Sequence, residues 1–240
     1  MTDEKIFLEK NPEINQIFST DTNFPKSILK IRQSVSSIYH LGHLKNFDRG
    51  ISIVGTRDCS DDGKKFAVKL GQLLGKEKIL VISGLAKGID SYAHKGCLDS
   101  DGITMAVLPW FHKLYPSNNQ NLLDSIIQKG CAISEILLMP QENPRYLFLK
   151  RNEIMTSLSD AVVVVESKNS GGALYTAKFA IKNNVPVIKC KTKTNDKDLI
   201  NGHKHFLEMG AIECNDADDI LDIIKNLKNY TSQNSIERFF

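Results

Sequence analysis

Between Ile79 and Cys97 the sequence reads ILVISGLAKGIDSYAHKGC, and this stretch narrows the choice of fold more than any other. Ile79 to Ile82 is apolar at every position and mostly β-branched. That is the mark of a strand buried on both faces, not one alternating between core and water. Ser83-Gly84 ends it. Lys87-Gly88 stands just before a helix from Ile89, where Ile89, Ala93 and Cys97 recur at helical spacing and Asp90 and His94 share a neighbouring stripe. A strand, a glycine-bearing turn and a helix, in that order, leave free backbone N–H groups at the carboxyl edge of a sheet. Anions, above all phosphates, bind at such edges.

The same unit recurs along the chain. Ile51 to Val54, Ile103 to Leu108, Cys131 to Ser134, Ala161 to Val165 and Val185 to Lys189 read as further buried strands, and Ile38 to Leu41 as a short one. Helical stripes lie between them. Phe66, Leu70, Leu73 and Leu74 follow a cap at Ser60 or Asp61. Leu122, Leu123, Ile126 and Ile127 follow Ser117 and stop at Gly130. A helix covers 146–158, after a loop with Pro140 and Pro144, and another carries Leu174, Ala177 and Ile181. A lysine-rich loop over 189–197 leads to a short helix near 203–209, and Ile220, Ile223, Ile224 and Leu227 mark a final one over 216–227. Six or seven strands alternating with helices predict an α/β fold: a doubly wound, mostly parallel sheet with helices on both faces. The expected organisation is an N-terminal lead-in over 1–48 packed on the main domain, the main domain over 49–229, and a loose tail over 230–240.

Composition excludes several classes. The five cysteines are scattered with no C-x-x-C pair, which argues against a disulfide scaffold or a structural zinc site and fits a reducing cytosol. The first residues, MTDEKIFLEKNPE, have no apolar core and do not read as a signal peptide. No apolar run approaches a membrane span. The expectation is a soluble cytoplasmic protein with no membrane partner. A net charge of +3 permits a polyanionic partner without demanding one.

Three turns hold the candidate chemistry. Gly55-Thr56-Arg57 offers backbone donors and a guanidinium that can fork onto phosphate oxygens. Ser83-Gly84 with Lys87-Gly88 offers a second nest. Lys168 with Ser170-Gly171-Gly172, and Thr176 one turn later, offers a third; Arg151 and Asn152 lie on the helix before it. Each alone is ordinary, since turns need glycine and surfaces carry arginine. All three together, opening on one sheet edge, form a candidate phosphate site. No G-x-G-x-x-G, G-x-x-x-x-G-K-[ST] or G-x-S-x-G motif is present. Cys97 lies on an apolar stripe and reads as packed. Asp90 with His94 reads as a capping acid and a helix-face histidine. The pairs His40/His43 and His203/His205 lack further ligands for a metal. Trp110, Phe111, Tyr115, Tyr146 and Phe148 fall near the same edge and could stack bases, although half or more are expected to cover the core.

These residues, in this order, resemble the DNA-processing protein A family (DprA, also called Smf), whose core domain is Rossmann-like. The resemblance runs from about Asn23 to Ala211. It includes Phe24-Pro25, Leu41-Gly42, Ile53-Val-Gly-Thr-Arg57, Ser83-Gly-Leu-Ala-Lys-Gly-Ile-Asp90, Ala93-His94, Ala106-Val-Leu108, Tyr115-Pro116 and Ser134-Glu135. It continues through Phe148 with Arg151-Asn152, Leu158-Ser-Asp160, Ser170-Gly171, Thr176-Ala177 and Gly210-Ala211. The resemblance implies a non-catalytic, cofactor-free, homodimeric binder of single-stranded DNA that helps load a RecA-type recombinase during natural transformation. By the same resemblance the basic pocket uses Arg57, Lys87, Arg151, Asn152 and Lys168, closed by the serine and glycines of the third turn. Three departures stand out. Glu153 replaces a usual arginine, Gly172 a usual serine, and Lys189-Cys-Lys-Thr-Lys193 a usual Pro-Gly. Two alternatives remain. One is a small-nucleotide sensor. The other is a phosphoribohydrolase-like enzyme on a related fold, against which Lys178 stands where that group has its catalytic glutamate.

Overall fold

The computed structural model describes residues 2–227 except 33, 46 and 141–144. Pro144 and the tail expected over 230–240 therefore lie outside the described residues. The elements run α1 (Asp3–Lys10), β1 (Asn15–Phe18), α2 (Ser27–Ile31), β2 (Ser37–Gly42), β3 (Gly50–Val54), α3 (Asp61–Lys76), β4 (Leu80–Ser83), α4 (Ile89–Asp99), β5 (Thr104–Val107) and α5 (Gln120–Ile127). They continue with β6 (Cys131–Ser134), α6 (Arg145–Ser157), β7 (Ala161–Val164), α7 (Gly172–Lys182), β8 (Val187–Cys190), α8 (Lys197–Glu208), β9 (Ile212–Cys214) and α9 (Ala217–Lys225).

All nine strands join one sheet in the order β1-β2-β6-β5-β4-β3-β7-β8-β9. From β6 to β9 every pairing is parallel, and β2 and β1 extend one edge antiparallel. The chain starts this parallel part at β3, winds outward through β4 and β5 to β6, then returns to β7 on the other side of β3. The reversal makes the gap between the ends of β3 and β7 a topological switch point, where open α/β sheets bind ligands.

The continuous apolar runs are explained by two cores, one on each face. Val162 and Val164 point into a core with Ile154, Met155, Ala177 and Phe206 of α6, α7 and α8. Ala161, Val163 and Val165 point into the other, with Leu70, Leu74, Ala93, Ile220 and Ile224 of α3, α4 and α9. A polar residue at either parity would face a core, which is why these strands show no alternation. Ser60 caps α3 by accepting from Gly63 N–H at 3.0 Å. Among the described helices none is long and apolar enough to cross a membrane.

Several expectations need correction. The sheet has nine strands, not six or seven. β9 is three residues long and β1 is a mixed polar edge strand, so neither shows a period to read. The lead-in holds two helices, and residues 15–42 supply two strands of the main sheet. The segment after Ser117 begins as one 3-10 turn before α5. The helix expected near 203–209 starts earlier, because Asp196 caps it by accepting from the N–H groups of Asp198 and Leu199.

Candidate functional site

A cleft of about 360 Å³ opens at the switch point. Val54, Gly55, Thr56 and Arg57 line it from the end of β3, with Ala86 and Asp90 behind them. Ser167, Lys168, Ser170, Gly171, Gly172, Ala173 and Thr176 line it from the β7–α7 turn. Phe148, Leu149, Arg151, Asn152 and Met155 of α6 complete it.

The β3 turn is held from beneath. Thr56 N–H donates to the Glu166 carbonyl at 2.7 Å, and the Glu166 carboxylate accepts from Ser60 N–H at 2.8 Å and Ser60 Oγ at 2.6 Å. Glu166 is 1 % exposed, so its charge is fully committed to this loop. The signal for Glu166 in the sequence is an acid directly after the buried β-branched run 161–165.

The β7–α7 turn is open. Gly171 caps α7 with φ +97°, a conformation that strains L side chains. No side chain caps this helix and its first turn carries no acid. A β-carbon on Gly171 would meet nothing within 4 Å. The first-turn N–H groups of α7 therefore face the cleft side without a side-chain acceptor, an arrangement suited to an oxyanion. Thr176 and Asn152 brace this turn: both donate to the Gly172 carbonyl, at 2.8 and 3.3 Å.

Arg151 forms the floor. It is 8 % exposed and donates from Nη1 to the Val107 carbonyl at 3.3 Å, beside the Met155 sulfur. Its Nε–H is buried with no hydrogen-bond partner among the described residues. The guanidinium lies so close to Gly84 that any β-carbon there would overlap it. Burial pulls the Arg151 pKa down; Asp90 opposes this and Arg57 adds to it. Burial also raises the Asp90 carboxyl, against the pull of Arg151 and of the Ala86 and Gly84 N–H groups. The two guanidiniums thus sense each other across one cleft, and neither is closed by a direct carboxylate contact among the described residues. Arg57 is exposed and lies 5.6 Å from the Tyr115 ring centroid. Tyr115 meets Phe148 edge-on at 5.7 Å, and Phe148 meets Trp110 at 5.4 Å. Trp110 is buried and donates to the Lys113 carbonyl, and Phe111 packs on the core. Tyr115 and Tyr146 remain about half exposed.

The second expected nest is not brought to the cleft. Ser83 Oγ donates to the Ile53 carbonyl at 2.6 Å, and Gly84 N–H donates to Asp90 at 3.1 Å. Gly88 packs under the Thr56 and Arg57 carbonyls, and Lys87 pairs outside the cleft with Asp58 at 3.0 Å.

His94 and Cys97 are structural, as their positions on α4 suggested. The Thr104 hydroxyl donates to the Val81 carbonyl at 2.7 Å, so His94 Nδ1, 2.6 Å from Thr104 Oγ1, carries the proton. Its Nε2 meets no hydrogen-bond criterion with any of the described residues. Burial, then Arg151, pull its pKa down to about 3. Cys97 donates to the Ile103 carbonyl, and burial pushes its thiol up to about 12.

The departures find partners. Glu153 accepts from Tyr175 Oη at 2.6 Å and pairs with Arg32 Nε at 3.2 Å, so its charge is held away from the cleft. Arg32 also pairs with Glu135, just past β6, at 2.6 Å, so it ties the lead-in to both the end of β6 and α6. Lys189 is buried and donates to the carbonyls of Val165 and Cys190, which removes it from the lysine-rich surface expected there. His203 pairs with Glu213 at 2.8 Å, and among the described residues no three His, Cys, Asp or Glu side chains gather as metal ligands.

Comparison with known proteins gives one family. Residues 15–225 match the model described as DNA recombination-mediator protein A. Protein Smf from Synechocystis sp. is 35 % identical over 205 residues, which is 82 % of this chain but 50 % of that protein, so the chain spans half of that relative's length. The structure of DNA processing protein A from Streptococcus pneumoniae superimposes with a TM-score of 0.79 at 28 % identity, over 92 % of this chain and 78 % of that one. DNA processing protein A from Helicobacter pylori, whose structure is described for its single-stranded DNA binding mode, gives 0.76 at 24 % identity over 90 % and 96 %; that likeness is one of fold.

Proposed function

The chain belongs to the DNA recombination-mediator protein A family, and from that premise we propose that it binds single-stranded DNA in the switch-point cleft without catalysing a reaction. The observation that carries the reading is the convergence of Arg57, Lys168, the floor guanidinium of Arg151 and the uncapped start of α7 on one opening. Phosphates of the strand sit at the α7 N-terminus and against Arg57, and Tyr115 and Phe148 give bases a face to stack on. The Helicobacter pylori protein of the same fold is described as binding single-stranded DNA, which supports the substrate class.

Chemistry is not part of this reading. Among the described lining residues the one carboxylate, Asp90, is occupied by two backbone N–H groups, and Lys178 is exposed on α7. In the same reading the chain acts as a cytoplasmic homodimer and passes the bound strand to a RecA-type recombinase. Fluorescence anisotropy with single and double strands of matched length, over a salt series, tests the substrate class. The single strand is expected to bind more tightly, with a linear log–log salt dependence. Equal binding of both forms, or displacement of the strand by mononucleotides at comparable concentration, would replace the reading with a duplex binder or a nucleotide sensor.

A further inference from the structure

Lys168 lines the cleft, yet its ammonium is already engaged: Nζ lies 3.2 Å from Asp198 Oδ2 at the start of α8. This is not a chance meeting of two loose side chains. α8 packs so closely on the β7–α7 turn that a β-carbon on Gly202 would collide with the Ser167 carbonyl and crowd the Lys168 backbone. Asp196 fixes the first turn of α8 by capping it, which sets where Asp198 projects. Asp198, then Asp196 and, more weakly, Asp58 raise the Lys168 pKa, so three carboxylates act on this one ammonium.

We propose that Asp198 is an affinity-setting residue for the cleft: it competes with a backbone phosphate for Lys168, so that a bound strand must open the Lys168–Asp198 pair. The inference rests on the single-stranded DNA reading above. It follows from charge balance. A lysine that moves from a carboxylate to a phosphate releases a cation from the DNA and takes one up at the vacated aspartate, so the exchange adds almost nothing to the salt dependence. With an amide at position 198 the same contact releases a cation outright. Asp198 lies on a helix that does not line the cleft, so its influence reaches the ligand through Lys168.

The test is a double-substitution cycle on the full chain, with a thymidine oligonucleotide as probe and anisotropy over a salt series as readout. Asp198→Asn is expected to tighten binding roughly two- to fivefold at low salt and to steepen the log–log salt slope by roughly 0.7. Lys168→Ala is expected to weaken binding in either background, and by more in the Asp198→Asn background, where it also abolishes the gain. Both residues are substantially exposed, so folding is not at stake. A gain that persists undiminished in the Lys168→Ala background means that Asp198 acts only as bulk negative charge and overturns the inference. So does an Asp198→Asn variant that matches the parent while the parent binds the probe. A parent that fails to bind the probe at any salt overturns the single-stranded DNA reading itself, and the inference with it.

Discussion

The β4–α4 and β7–α7 turns are built from the same ingredients and end opposite in character. Each follows a buried strand, contains serine, lysine and glycine, and starts a helix at a glycine of positive φ, Gly88 at +84° and Gly171 at +97°. In the first, the acid Asp90 sits in the opening turn of α4 and takes the N–H groups of Gly84 and Ala86. Ser83 is tied to β3, and Lys87 to Asp58. In the second no acid stands in the opening turn, and space around Gly171 is open. At the start of α4 backbone carbonyls also take N–H groups, Thr56 that of Ile89 and Ala86 that of Ser91, whereas the start of α7 has no such acceptor among the described residues and is a seat for a foreign anion. The closed turn serves the open one by holding Arg151 beneath it.

The comparison can be broken most sharply at Asp90. Asp90→Ala leaves the buried Gly84 N–H and the half-buried Ala86 N–H unpaired and the Arg151 guanidinium without its compensating charge. A stability loss of about 3 kcal/mol or more is expected in urea unfolding; a loss below about 1 kcal/mol would mean the turn closes without the acid. Asp90→Asn keeps an acceptor and should cost less.

Acid gives a second lever on the same floor. The His94 pKa is about 3 folded against 6.5 for the free group. Between these values the unfolded state binds more protons, so stability falls as pH drops from 6.5 towards 3, by up to ~4 kcal/mol. The raised Asp90 carboxyl works in the opposite sense, contributing stability below its unfolded pKa of 3.8 that is lost as pH rises through its folded value. His94→Leu should therefore flatten the fall seen in urea midpoints between pH 7 and pH 5 (round values within the His94 window). An unchanged slope would assign the acid response elsewhere.

Much of this was legible in the residues. The continuous β-branched run at Ala161 to Val165 and the spacing of Leu70 and Leu74 specify a two-faced sheet, because both parities of the strand must be apolar when helices cover both sides. What could not be read was occupancy. Ser83, Gly84, Lys87 and Gly88 have the composition of a phosphate nest, and only the packing of Arg151 and Asp90 shows that their groups are already taken. Glu166 and Lys189 were opaque for the same reason. Their burial follows from long-range partners, Ser60 more than a hundred residues away and the Val165 carbonyl on the next strand.

A smaller effect sharpens the contrast. Ser83→Ala removes a hydroxyl that bonds only within the fold. It should cost about 1 kcal/mol in stability and leave oligonucleotide affinity at the parent value in the same anisotropy assay.

Which turn touches the strand is tested most directly by one paired measurement: the salt dependence of thymidine-oligonucleotide binding by Arg57→Ala and Lys87→Ala. Arg57→Ala is expected to bind roughly tenfold more weakly with a slope shallower by roughly 0.7, while Lys87→Ala tracks the parent throughout. The reverse pattern, with Lys87→Ala weakened and Arg57→Ala unchanged, would place the strand over the closed turn and contradict the account.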